Sequence, residues 1–102
     1  MRVVVSERAK RNRNQIAQHI MRKFGRIAFV EFCDEYHKVK RTIAAYPESC
    51  PVDENLSNST YTYHYTFING LSKLLYRIVD DSFVFIVDMW DVRREPPTEI
   101  KL

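Results

Sequence analysis

The spacing of apolar residues changes period once along this chain, and that change constrains the fold more than any other feature. Up to Tyr46, apolar side chains recur every three or four residues; from Thr60 on, they recur every two. Between the two regimes lies a stretch rich in Ser, Asn and acidic residues, opened by Pro47 and interrupted by Pro51. A period near 3.6 puts apolar groups on one stripe of a helix, and a period of 2 puts them on one face of a strand. The chain therefore reads as a helical half followed by a sheet half.

The helical half divides at Gly25. Ahead of it, Ala9, Ile16, Ile20 and Phe24 share one stripe, with Arg13 filling the gap, and residues 7–24 contain no Gly or Pro. Ser6 suits the N-cap, and Glu7 suits the positive end of a helix dipole. The spacing predicts a first helix over 7–24. Gly25 can end it by taking the left-handed conformation. Phe29, Phe32, Tyr36, Val39, Ile43 and Tyr46 then continue the same spacing, while Glu31, Asp34, Lys38 and Arg41 occupy the opposite face. This predicts a second helix over about 26–45, ended by Pro47. Two such helices are expected to form a hairpin whose apolar stripes meet each other and a sheet.

In the sheet half, Tyr61, Tyr63, Tyr65 and Phe67 alternate with Thr60, Thr62, His64 and Thr66, so a strand is expected from Thr60. Asn69-Gly70 is a hairpin turn signal, Leu71 to Val79 a return strand, and Asp80-Asp81 a second tight turn. The last strand, Ser82 to Met89 or Trp90, is apolar on both faces around Phe83-Val84-Phe85-Ile86-Val87 and is expected to be central. Arg2 to Val5 is a short β-branched first strand. The tyrosine row is expected beneath the helices, its alternative being to stack nucleic-acid bases, and His64 is expected to be an exposed strand residue. The fold class is thus α+β: one domain over 1–96, in the order β-α-α-β-β-β, with a helical hairpin on a small, mainly antiparallel sheet. Residues 97–102, with Pro97 after Pro96, are expected to be an irregular tail.

Composition narrows the function classes. A chain of 102 residues fits one small domain. No apolar run approaches the roughly 20 residues of a membrane-spanning helix. The first six residues lack the apolar stretch of a secretory signal, so a cytoplasmic protein is expected. In that compartment Cys33 and Cys50 are expected as free thiols, although counting alone leaves one disulfide open. Cys33 and His37, four apart, make half a metal site with no further ligand in view, so neither metal nor other cofactor is expected. The charge is uneven. Residues 1–26 hold eight Lys and Arg against a single acid, Glu7, and the remaining residues hold the other eight against twelve acids. Arg8, Lys10, Arg11 and Arg13 sit in the opening turns of the first helix, where its dipole disfavours cations. Such a segment points to an anionic partner.

Several segments carry a family resemblance: Val3-Val4-Val5-Ser6-Glu7-Arg8-Ala9, then Ile16-Ala17 and Ile20, then Ala44-Ala45-Tyr46-Pro47. The most specific are Leu74-Leu75-Tyr76-Arg77-Ile78-Val79-Asp80-Asp81 and, after an apolar strand, Arg93-Arg94-Glu95-Pro96. In this order and spacing, over about residues 1–96, the chain resembles the RelE/ParE toxins of type II toxin–antitoxin systems. The resemblance implies a small toxin neutralised by a cognate antitoxin whose C-terminal segment wraps it. It also implies one of two activities. RelE-like members cleave mRNA in the ribosome without metal, and ParE-like members poison DNA gyrase.

Metal-free RNA cleavage needs a base for the ribose 2′-hydroxyl, cations for the phosphorane and an acid for the leaving oxygen. Carried over by motif, the sheet cation falls on Lys73, which lacks the bidentate fork of arginine. The arginine after the last strand falls on Arg94, and the tail tyrosine falls near Ile100, which cannot transfer a proton. His64 or Tyr76 would have to serve as proton carrier. The His-Gly-Arg-Arg of many ParE-like chains is kept in part, as Trp90-Asp91-Val92-Arg93-Arg94. The resemblance thus favours ParE-like action on gyrase. The alternatives are a ribosome-dependent mRNA endoribonuclease using Lys73, Arg94 and His64, or a non-toxic binding module of the same fold. Residues expected to bind the target or antitoxin are Arg8, Lys10, Arg11, Arg13, Arg77, Arg93 and Arg94, with Arg77 and Arg94 either a basic patch or partners of Asp88 and Asp91. A homodimer stays open, and no membrane partner is expected.

Overall fold

The structure, a computed structural model, describes residues 1–93. The elements run β1 (Arg2–Val5), α1 (Glu7–Phe24), α2 (Arg26–Ala45), β2 (His64–Ile68), β3 (Ser72–Val79) and β4 (Phe83–Asp91). The sheet order is β1-β4-β3-β2. β1 runs parallel to β4, and the other two pairings are antiparallel. The α+β architecture expected from the periodicity is the one observed, with β4 inside the sheet. No helix among the described residues is long and apolar enough to cross a membrane.

Local chemistry explains the breaks. Ser6 Oγ accepts the Ala9 N–H at 3.0 Å and donates to the Val87 carbonyl at 2.7 Å, so one hydroxyl caps α1 and ties it to β4. Gly25 takes φ 90°, and α2 starts at the very next residue. A Cβ at Gly25 would meet nothing within 4 Å, so the demand for glycine there comes from the backbone angle alone. Asn69 and Gly70 (φ 53° and 70°) form the first hairpin turn, and Asp80 and Asp81 (φ 49° and 55°) the second. Two consecutive left-handed residues match the strand twist.

The main core lies between the helices and one face of the sheet. Ala9, Phe32, Tyr36 and Ile43 pack against Ile68, Leu74, Tyr76, Val84, Ile86 and Met89. Full burial of one such large apolar side chain contributes about 1.5–3 kcal/mol. The other face carries a second, smaller cluster: Tyr63, Leu75 and Val87, flanked by Leu56, Tyr65, Phe85 and Trp90. Here the structure corrects two expectations. The tyrosine row does not lie beneath the helices; Tyr63 and Tyr65 belong to this second face, which Leu56 of the 46–63 connection helps to cover. And β2 begins at His64, not Thr60. The reason is local hydrogen bonding. Asn58 Oδ1 accepts the N–H groups of Thr60 and Tyr61, both at 2.8 Å, and Ser57 Oγ accepts that of Tyr63 at 2.9 Å. These side chains occupy donors that a longer ladder would need.

Candidate binding surfaces

Alternation along β2 and β3 sorts the expected site residues onto two sides. Lys73 pairs with Phe67, whereas His64 pairs with Tyr76, three residues further along β3. Residues separated by an odd number along a strand face opposite ways. Lys73 and His64 therefore sit on opposite faces of the sheet, and the structure does not bring them together.

His64 is half-buried on the helix side, which corrects its expected exposure. Its Nδ1 lies 2.9 Å from the Cys50 carbonyl, and its ring stacks on Tyr76 at 5.3 Å between centroids. The Tyr76 hydroxyl donates to the Pro47 carbonyl at 2.6 Å. Burial, with the Cys50 thiol alongside, pushes the Tyr76 phenol far above its ordinary range. Both rings thus pin the connection after α2 to the sheet. Cys50 and Cys33 are free, half-buried thiols.

On the other face, cations and rings alternate. Lys73 Nζ lies 2.6 Å from Asp53 Oδ2, 4.5 Å from the Tyr65 ring centroid and 5.6 Å from that of Trp90. Burial works to raise the Asp53 carboxyl. The Lys73 ammonium and the N–H groups of Leu56 and Asn55 outweigh it and hold that carboxyl below the usual range. Arg77 lies between Tyr61, at 4.4 Å, and Phe85, at 5.7 Å, and its Nε is buried without a hydrogen-bond partner among the described residues. Arg77 therefore pairs with neither Asp88 nor Asp91. Asp88 takes Arg8, and Asp91 takes Arg93 at 2.6 Å. Arg94 lies outside the described residues, as do Ile100 and the expected 97–102 tail. Sequence reasoning missed Asp53, although the alternation that places Lys73 beside the aromatics was legible.

No family model matches the chain, and a comparison with curated proteins found no match.

The basic first helix is less free than its sequence suggests. Arg8 Nε lies 3.2 Å from the buried Asp88 carboxylate, which also accepts from Asn12 at 2.8 Å. Lys10 reaches Glu7 at 3.4 Å. Arg13 donates to the Tyr36 hydroxyl at 3.3 Å and stacks on its ring at 5.3 Å. Of the four expected binding cations in these turns, only Arg11 is exposed and uncommitted among the described residues. Around Gly25, Arg22, Lys23 and Arg26 are exposed and outside any ion pair among the described residues, with Lys23 Nζ lying 5.5 Å from the Phe24 ring centroid. Between Asn12, Ile16 and Ile20 of α1 and Met89 and Trp90 of β4 runs a mixed apolar and polar cleft of about 130 Å³. No group of three or more His, Cys, Asp or Glu among the described residues could hold a metal ion.

Proposed function

We propose that this chain is the toxin of a type II toxin–antitoxin system, of the RelE/ParE kind, acting in the cytoplasm. It arrests growth in ParE-like fashion, by binding DNA gyrase, and a cognate antitoxin neutralises it. The β-α-α-β-β-β order and the motif resemblance support the family reading. The observation that carries the choice of binding over hydrolysis is the separation of Lys73 and His64 onto opposite faces, each already engaged. A proton carrier must reach the same substrate as the phosphate cation to act in one step.

The experiment is induced expression followed by two biochemical readouts. Stabilised gyrase–DNA cleavage complexes with purified protein are the expected result. mRNA cuts in a translating extract would favour the endoribonuclease, and expression without any growth defect would leave a non-toxic binding module.

A further inference from the structure

The hairpin turn at Gly25 is the most exposed apolar feature of the described chain. Ile27 is 78% exposed, and Phe24, Val30 and Met21 follow at 56%, 42% and 39%. Exposed apolar clusters of this kind mark interaction sites. Between Glu7 and Glu31 the chain holds seven Lys and Arg and no acid. Those near the start of α1 are largely engaged internally, so Arg22, Lys23 and Arg26 leave their charge at the turn. An apolar apex flanked in sequence by the exposed Arg22 and Arg26, with Lys23 over the Phe24 ring, sits at the end of two long helices joined through one residue.

Resting on the toxin reading above, we infer that this apex is the element that engages the toxin's protein target, entering a pocket with an apolar floor and an acidic rim. Charge complementarity selects the acidic rim. The apolar centre argues against nucleic acid, because Ile27, Val30 and Met21 offer no flat face for a base and the one ring there, Phe24, already carries the Lys23 ammonium at 5.5 Å. A lipid surface is the competing occupant, because an apolar cluster beside cations also suits anionic headgroups, and the vesicle arm of the test separates the two. A pocket concentrates binding on a few buried anchors.

The test compares Ile27→Asp and the double variant Arg22→Glu/Arg26→Glu with wild type and with Arg41→Glu, a charge reversal at an exposed position of α2 away from the turn. Thermal unfolding verifies that each is folded. Growth arrest, gyrase cleavage complexes and affinity for purified gyrase are then read. The expected result is loss of arrest and affinity weakened at least about tenfold in both apex variants, with Arg41→Glu like wild type. Apex variants that arrest growth and trap gyrase as wild type does overturn this inference and leave the gyrase reading standing. If wild type arrests growth without trapping gyrase and the apex variants do not arrest it, the gyrase reading fails and the apex stands. Wild type that binds phosphatidylglycerol vesicles through the apex, with toxicity unchanged in the variants, assigns the apex to lipid and overturns the inference. A wild-type chain that does not arrest growth overturns both readings.

Discussion

Replacing Asp88 by alanine separates two uses of Arg8, as a structural partner and as a binding residue. The Asp88 side chain is 2% exposed, whereas that of Arg8 is 38% exposed. Asp88 Oδ1 accepts from Asn12 Nδ2 and from the Met89 N–H, both at 2.8 Å, and Oδ2 receives Arg8 Nε at 3.2 Å. Asp88→Ala therefore leaves the Met89 N–H without its acceptor inside β4, a cost of about 1–3 kcal/mol. Asn12 keeps its bond to the Met89 carbonyl at 3.0 Å, so it loses one contact, not all. A lost hydrogen bond to a charged group adds about 1.5–3 kcal/mol. The Arg8 contact adds less, since water reaches the guanidinium; pairs of this exposure contribute about 0–1 kcal/mol. The terms add to about 2.5–7 kcal/mol for Asp88→Ala, against at most about 1 kcal/mol for Arg8→Ala.

Urea unfolding at neutral pH, with a double-mutant cycle over Arg8 and Asp88, measures both terms. The coupling between the two is expected to stay within about 1 kcal/mol. An Arg8→Ala variant as destabilised as Asp88→Ala would refute the reasoning, because the ion pair itself would then hold α1 on the sheet. The outcome bears on function. If the pair is weak, an acidic partner can recruit Arg8 from Asp88 at little cost to the fold. If it is strong, Arg8 is closed to partners.

Asp53 has a folded pKa below its unfolded value, so its contribution is present above about pH 4 and is lost as pH falls through the folded value. Asp53→Asn should therefore lower the melting temperature at pH 7, with the gap to wild type closing below about pH 4; a gap that persists at pH 2 would sink this assignment. Tyr76→Phe removes the donor to the Pro47 carbonyl and should cost about 1–3 kcal/mol in denaturant unfolding, with the fold intact by circular dichroism. Asp81 holds φ 55° in the second hairpin turn, so Asp81→Gly should raise stability by about 0.5–1 kcal/mol, read as a melting-temperature gain of about 2–8 °C. No gain there would mean that the Asp81 side chain already offsets the backbone cost.

The elements that were legible in the sequence are those whose signal is carried by the side chains that form the core. The 3/4 spacing from Phe29 to Ile43 is the stripe that buries Phe32, Tyr36, Val39 and Ile43. The all-apolar Phe83 to Val87 segment lies inside the sheet because both of its faces are covered, one by helices and one by the second cluster. The start of β2 was not legible. Alternation begins at Thr60, but alternation describes side chains, whereas the ladder needs free backbone donors, and Asn58 and Ser57 occupy them. Nor does alternation say which face meets the helices. That is set by register with β3, where Lys73 and Arg77 share a face with the tyrosines and exclude the helices from it.

The site followed the same division. Counting charge finds the basic segment but cannot tell a committed cation from an uncommitted one. The difference depends on residues far along the chain: Asp88 is eighty positions from Arg8, and Tyr36 twenty-three from Arg13. Near the start of α1, Arg8 and Arg13 find such partners, whereas Lys10 pairs only with Glu7. A cation near the end of α1 has only the short turn and solvent around it. The cations of α1 fall in two groups, at 8–13 and at 22–23, and packing engages the first group more than the second. The second group coincides with the most exposed apolar residues because the same lack of a covering element leaves both in solvent.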